Sequence, residues 1–274
     1  MSVLSYRDLM IGFKQLGIDQ TKPVILHASL SSFDEVRGGA ETLLGAILAT
    51  YPCVIAPTFT YRSMITPETG PEGNGIDYGS GRDQNKMTEF YTPDMPADRL
   101  MGVLAEKIRL HPQAKRSTHP LLSFAGIQIA EAIETQTLEE PLAPIQWLLD
   151  HQGYVLLLGV DQTVNTSIHL AEQKAGRKSF VRWGLTPHAI YECSGFPGCS
   201  EGFNQAAKYL TEMTSVTQIG NADIQAIPIQ EMVEVLLPVL KANPLDLLCE
   251  KENCPRCQAI RHQQNDYMVK ASNA

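Results

Sequence analysis

Residues 154–160 read Y-V-L-L-L-G-V, an apolar run without a single charged or strongly polar side chain. A strand with one wet face alternates in polarity, so a continuous run predicts a central strand covered on both sides. The run is far shorter than the roughly 20 residues a helix needs to cross a bilayer. The N-terminal third supplies matching parts. P-V-I-L at 23–26 reads as a buried strand ending at His27. Gly38 and Gly39 open a helix with Leu43, Leu44, Ile47 and Leu48 on one face, and residues 53–56 form a second strand stopped by Pro57. Strand, turn, helix and strand in that order imply a parallel α/β unit.

Other helices are expected from Tyr6 to a stop at Gly17, with Ser5 and Asp8 as a capping box, and over 99–110, 128–134, 145–149, 167–176, 202–213 and 230–240. The 274 residues suit one large domain, 1–274. Within it, periodicity disappears over 58–97, a stretch punctuated by glycine and proline and richer in acids than in bases. This stretch reads as a loop over a binding cleft. Beyond Pro244 comes a C-terminal tail, 244–274, that carries cysteines and whose last dozen residues are polar and read as loose.

The chain has 30 acidic and 22 basic residues, a formal charge of −8. That balance disfavours gripping nucleic-acid phosphates and suits a cationic small molecule. Six cysteines are too few for a disulfide scaffold, and the N-terminus has no basic region followed by an apolar core. A reduced cytoplasmic protein, away from membranes, is expected.

Four segments carry chemistry. In H-A-S-L-S-S-F-D-E-V-R-G-G, residues 27–39, hydroxyls follow a strand and two glycines precede a helix. Free N–H groups at a helix start favour a phosphate, although the segment matches neither common nucleotide-binding glycine motif. In R-S-T-H-P, residues 116–120, His119 stands before a proline and reads as extended or in a turn. In N-T-S-I-H-L-A-E, residues 165–172, Asn165 or Thr166 can cap a helix that places His169 and Glu172 three apart on one face. A carboxylate beside an imidazole fixes its tautomer and raises its basicity, as a general base requires. Lastly, Cys249, Cys254 and Cys257 cluster in the tail, with Cys199 as the favoured fourth member and Cys193 as its substitute. Four thiolates suit a structural zinc ion.

Taken together and in order, H-A-S-L-S, V-R-G-G, A-P-T-F-T, M-G-V-L-A-E, R-S-T-H-P-L-L-S-F-A-G, L-L-L-G-V and N-T-S-I-H-L-A-E resemble the aminoglycoside 3-N-acetyltransferase, or antibiotic N-acetyltransferase, family over residues 1–215. The resemblance implies a single large α/β/α domain around a mostly parallel sheet, distinct from the small GCN5-related fold. It implies acetyl-CoA as donor and direct transfer to the 3-amine of a 2-deoxystreptamine aminoglycoside. His169 would be the catalytic base with Glu172 beside it. Ser29, Leu30, Ser31, Val36, Gly38 and Gly39 would hold CoA, with Arg116 and Ser117 near the cofactor. Asp34 stands where the family has glycine, and some members acetylate other amines. Two other classes compete: a hydrolase with a metal on His27, His119 and His169, and a protein that binds CoA or sequesters aminoglycosides without turnover.

Overall fold

The computed structural model describes residues 3–272. Helix α1 (Tyr6–Gln15) starts on the expected capping box: Ser5 Oγ accepts from Asp8 N–H, and the Asp8 carboxylate accepts from Ser5 N–H. There follow β1 (Val24–Ala28), α2 (Gly39–Thr50), β2 (Val54–Pro57), a two-residue strand β3 (Met64–Ile65), α3 (Gly102–Arg109), β4 (Ala114–Arg116) and β5 (Phe124–Ile127). Then come α4 (Ala130–Glu134), α5 (Ala143–Asp150), β6 (Tyr154–Leu158), α6 (Ile168–Lys174), β7 (Phe180–Leu185) and β8 (Ile190–Phe196). The chain closes with α7 (Ala207–Leu210), β9 (Ser215–Ile219), β10 (Ala222–Pro228), α8 (Ile229–Ala242) and α9 (Pro255–Ser272).

Seven strands make the main sheet in the order β4-β5-β2-β1-β6-β10-β9. β2, β1 and β6 pair in parallel, with Val24 opposite both Val54 and Tyr154. β5 and β10 run against them, and the edge strands β4 and β9 turn back again. Five strands therefore share one direction, while parallel pairing is confined to the centre. Two apolar cores cover the two faces. Ile25, Val155 and Leu157 join one with α5, α6 and α8; Val24, Leu26, Leu156 and Leu158 join the other with α1, α2 and α3. The apolar run at 154–160 is uniform because β6 feeds both cores.

A second sheet, β3-β7-β8, stands apart. The segment 58–97 contributes β3 to it, forms short 3₁₀ turns and otherwise lacks regular structure. The expected helix at 202–213 is reduced to a 3₁₀ turn (Phe203–Ala206) followed by the short α7. Helix α9 reaches Ser272, so residues 263–272 are helical where a loose tail was expected, and residues 273–274 lie outside the described residues. Cys257 and Ile260 of α9 are buried in the same core as α6 and α8, which ties the tail to the domain.

Candidate active site

A cavity of about 330 Å³ opens at the C-terminal ends of β1 and β6, where open α/β sheets gather their ligand sites. His27 and Ala28 line it from β1, Phe59 and Tyr61 from the long loop, and His169 from α6. Phe196, Pro197, Gly198 and Ser200 close one wall, together with Arg256 from the first turn of α9.

The turn after β6 aims His169 into this space. Gly159 has φ +64°, and a Cβ there would fall 2.4 Å from that of Ser32, so the turns after β6 and β1 press together. Asp161 caps the next turn through Thr163 N–H. Fully buried Asn165 accepts from Ser167 N–H, which bends the chain into α6. His169 and Glu172 then face each other one turn apart, Nδ1 to Oε2 2.6 Å. The carboxylate accepts a hydrogen bond from Nδ1–H and so leaves Nε2 as the basic nitrogen. Phe203 flanks the imidazole, ring centroids 4.7 Å apart.

Glu172 also binds Arg177, whose Nη2 donates to the carbonyls of Pro244 (2.8 Å) and Asp246 (2.5 Å). Burial pushes the Glu172 pKa up, but the hydrogen bonds and charges of His169 and Arg177 outweigh burial and hold it below its ordinary value. Glu172 is thus a buried anion clamped from both sides. Arg177 lies five residues beyond Glu172, outside the helical i+3 and i+4 spacings, so no periodic signal reveals it.

His27 is different. Burial lowers its pKa to about 3, so the ring is neutral, and its buried Nε2 has no partner among the described residues. His119 lies away from the cavity, where Nδ1 accepts from Leu121 N–H and Leu122 N–H. The hydrolase expectation therefore fails on geometry. Among the described residues only the four cysteines bring three or more ligand atoms of this kind together.

The other expected residues divide into two groups. Ser29 and Ser31 sit just past Ala28 with their hydroxyls 3.0 Å apart, and Leu30 to Ser32 form a 3₁₀ turn. Gly38 and Gly39 both have positive φ, 81° and 59°, and start α2. The Val36 side chain is buried in the core and its backbone bridges to Leu4, so only main-chain atoms there can face a ligand. Arg116 and Ser117 do not fit the expected cofactor role. The Arg116 guanidinium donates to Thr58 Oγ1, Ser123 Oγ and the carbonyls of Thr58, Pro93 and Met95. It stitches the long loop to β2 and β5 and has few donors left for a phosphate. Ser117 Oγ accepts from Phe124 N–H.

Nor do the acids of the long loop line the cavity. Glu68, Asp83 and Glu89 pair with Arg82, Lys86 and Arg62 of the same loop. What the loop brings to the cleft is aromatic.

Behind the Pro197–Ser200 wall, the thiols of Cys199, Cys249, Cys254 and Cys257 lie within 4.8 Å of one another, and those of Cys249 and Cys257 are 3.4 Å apart. Four thiolates about 2.3 Å from one zinc ion would stand about 3.8 Å apart, so small shifts would accommodate the metal. Cys193 lies on β8 outside this group, its thiol pushed up to about 12 by burial.

Comparison with known proteins gives a consistent picture. The family profile described as aminoglycoside 3-N-acetyltransferase matches residues 25–241. The SPbeta prophage-derived aminoglycoside N(3')-acetyltransferase-like protein YokD of Bacillus subtilis (strain 168) is 29% identical over 179 residues. That match covers 62% of this chain and 65% of that protein, just under two thirds of its length. Aminoglycoside N(3)-acetyltransferase IV of Salmonella sp is 27% identical over 261 residues, 90% of this chain and 91% of that protein. The solved apoenzyme of aminoglycoside acetyltransferase AAC(3)-IVa superposes with a TM-score of 0.78 at 24% identity, covering 96% of this chain and 98% of that one. The CoASH complex of AAC-IIIb superposes at 0.71 and 18% identity, over 88% and 97% of the two chains.

Proposed function

Since the chain belongs to the aminoglycoside 3-N-acetyltransferase family, we propose that it moves the acetyl group of acetyl-CoA onto an amine, with His169 as general base. The observation that carries this reading is the His169–Glu172 pair, with His169 lining a cavity at the ends of two parallel strands and Glu172 buried behind it. Relatives carry the name aminoglycoside N(3)-acetyltransferase. The 3-amine of a 2-deoxystreptamine ring is therefore the first acceptor to test.

In this mechanism both substrates are bound together. The acceptor enters as the neutral amine, its ammonium proton given up to water, and His169 Nε2 takes a proton from the nitrogen as it attacks. The amine nitrogen bonds to the thioester carbonyl carbon, and Glu172 stabilises the imidazolium. Neutral His27, whose Nε2 is unpartnered, is a candidate hydrogen-bond donor to the developing oxyanion. Collapse breaks the C–S bond, and the imidazolium proton goes to the departing CoA sulfur. CoA lies along Ser29, Leu30, Ser31 and the main chain from Val36 to Gly39, with a phosphate at the start of α2. Arg116 acts at a distance by pinning the loop that carries Phe59 and Tyr61.

The four cysteines hold one zinc ion that braces the Pro197–Ser200 wall; with four thiolates it has no open position for chemistry. Free thiols suit a reducing cytoplasm, and among the described residues no helix is long and apolar enough to cross a membrane.

The deciding experiment is CoA thiol release from acetyl-CoA with a panel of aminoglycosides and simpler amines, His169→Ala as control. Acceptor-dependent release that His169→Ala abolishes supports the reading. Release equal in the two proteins, or none with any amine, overturns it.

A further inference from the structure

We infer that Arg256 is a positioning residue for acetyl transfer: its guanidinium couples the cysteine cluster to the wall that supports the His169–Glu172 pair. This deepens the acetyl-transfer reading, and rests on it and on the zinc assignment.

The wall itself is irregular. β8 ends at Phe196, and Pro197 to Ser200 continue along the cavity outside any helix or strand. Yet this segment touches both members of the pair. A Cβ on Gly198 would lie 3.9 Å from Glu172 Oε2. Phe203, whose N–H donates to the Ser200 carbonyl at 2.9 Å, packs on the His169 ring with centroids 4.7 Å apart. A displaced wall would admit water to the buried carboxylate and free the imidazole to tilt. Proton transfer tolerates neither, since a misplacement of about 1 Å can cost roughly a hundredfold in rate.

Arg256 fixes the wall. Its Nη1 donates to the Gly198 carbonyl at 2.7 Å and to the Pro197 carbonyl at 3.4 Å. Among the described residues no other donor reaches either oxygen. The next residue, Cys199, ties the wall to the cluster through its thiol. The two attachments meet in Arg256, which stands between Cys254 and Cys257 in the first turn of α9. The Cys257 thiol, by a hydrogen bond, and the Arg256 guanidinium, by its charge, both favour the thiolate of Cys199. Four thiolates around one zinc ion make a net anionic centre. A guanidinium suits the place beside it, because its fork of N–H donors can face an anion and a carbonyl together.

The long loop closes the other side. Gly75 has φ +61°, and a Cβ there would come within 3.2 Å of Arg256 Cα and Cγ. Packed by the loop and drawn by the thiolates, the guanidinium is held over Pro197 and Gly198. Without the thiolate charge it would exchange their carbonyls for water in the cavity it lines. The metal thus acts on the chemistry in part through Arg256, although it touches no substrate.

The test compares wild type, Arg256→Gln and Arg256→Lys, each with zinc bound and after a chelator has removed it, by CoA thiol release with gentamicin as acceptor. With zinc bound, Arg256→Gln should lower kcat about tenfold and leave KM for acetyl-CoA within about twofold, with Arg256→Lys between. Zinc content should stay at about one equivalent. A second readout needs no turnover. The NMR signal of the His169 Nδ1 proton, assigned by its loss in His169→Ala, should shift or broaden in Arg256→Gln and return toward wild type in Arg256→Lys. Stripping zinc from wild type should bring the same two changes. Stripping it from Arg256→Gln should cost less than the product of the two single losses, the mark of coupled groups. Losses that multiply would mean that metal and Arg256 act separately, and would overturn the inference. So would an unchanged Nδ1 signal, or a protein that holds no zinc. Loss of zinc and Tm in both variants, in step with activity, would assign Arg256 to charge balance in the cluster alone and overturn it too. Failure of every amine would instead refute acetyl transfer. The coupling is then judged on the Nδ1 signal, and a signal indifferent to both Arg256 and zinc overturns it.

Discussion

Glu172 Oε2 lies 2.6 Å from His169 Nδ1, and the two side chains are 6% and 8% exposed. The pair is a buried, oriented unit, closed on its far side by Arg177. Replacing His169 with Ala should lower kcat by roughly 10²–10⁴ with CoA affinity preserved, since only the proton acceptor is lost. Single-turnover rates and CoA calorimetry check both halves.

Glu172→Gln should act differently. It keeps a hydrogen-bonding group beside His169 but leaves the buried Arg177 without its anion. Breaking such a pair costs about 3–5 kcal/mol. Denaturant unfolding should show a large stability loss alongside a smaller loss of kcat than His169→Ala gives. Unchanged stability would mean that Arg177 is satisfied by the two carbonyls alone.

The two glycines before α2 give a paired prediction. A Cβ on Gly39 would meet nothing within 4 Å, whereas one on Gly38 would strike Thr42 Oγ1 at 2.4 Å. The space above Gly39 is where a phosphate would approach. Gly39→Val should weaken CoA binding at least tenfold with little effect on acceptor affinity, beyond the strain of a side chain at φ +59°. Gly38→Ala should mainly destabilise the fold. Calorimetry with CoA and with acceptor, together with Tm, separates the two.

His119 predicts an acid-sensitive fold. Burial lowers its pKa from 6.5 to about 4. As pH falls below 6.5 the unfolded chain gains a proton that the folded chain refuses, so stability declines until about pH 4 and then levels off for this group. The cost approaches about 3 kcal/mol. His119→Asn, whose Oδ1 can accept from Leu121 N–H and Leu122 N–H, should flatten this part of the stability–pH curve. An unchanged slope would shift the effect to His27, which burial depresses the same way to about 3.

Removing zinc should lower Tm and expose the four clustered thiols to titration. The protein as purified should hold about one equivalent, and Cys257→Ser should lose it. A metal content near zero, with the thiols freely reactive in the folded protein, would contradict the assignment.

Local pattern determined much of the molecule. The uniform apolarity of β6 demanded cover on both faces, and the three-residue spacing of His169 and Glu172 demanded that they meet if α6 formed. Both follow from periodicities of 2.0 and 3.6 residues, which nearest neighbours in sequence already carry. The antiparallel flanks were not legible in this way. Strands β9 and β10 and the second sheet depend on pairing partners distant in the chain, and β-propensity is set by those neighbours. The same limit governed charge. Sequence supplied a net −8 and an acidic loop, but the fold paired half of that loop's carboxylates internally and kept them all from the cavity lining. It occupied Arg116 with five acceptors and turned Arg256, unremarked between two cysteines, toward His169's cavity. A charge acts through distance and burial, and for groups far apart in the chain only tertiary packing fixes both.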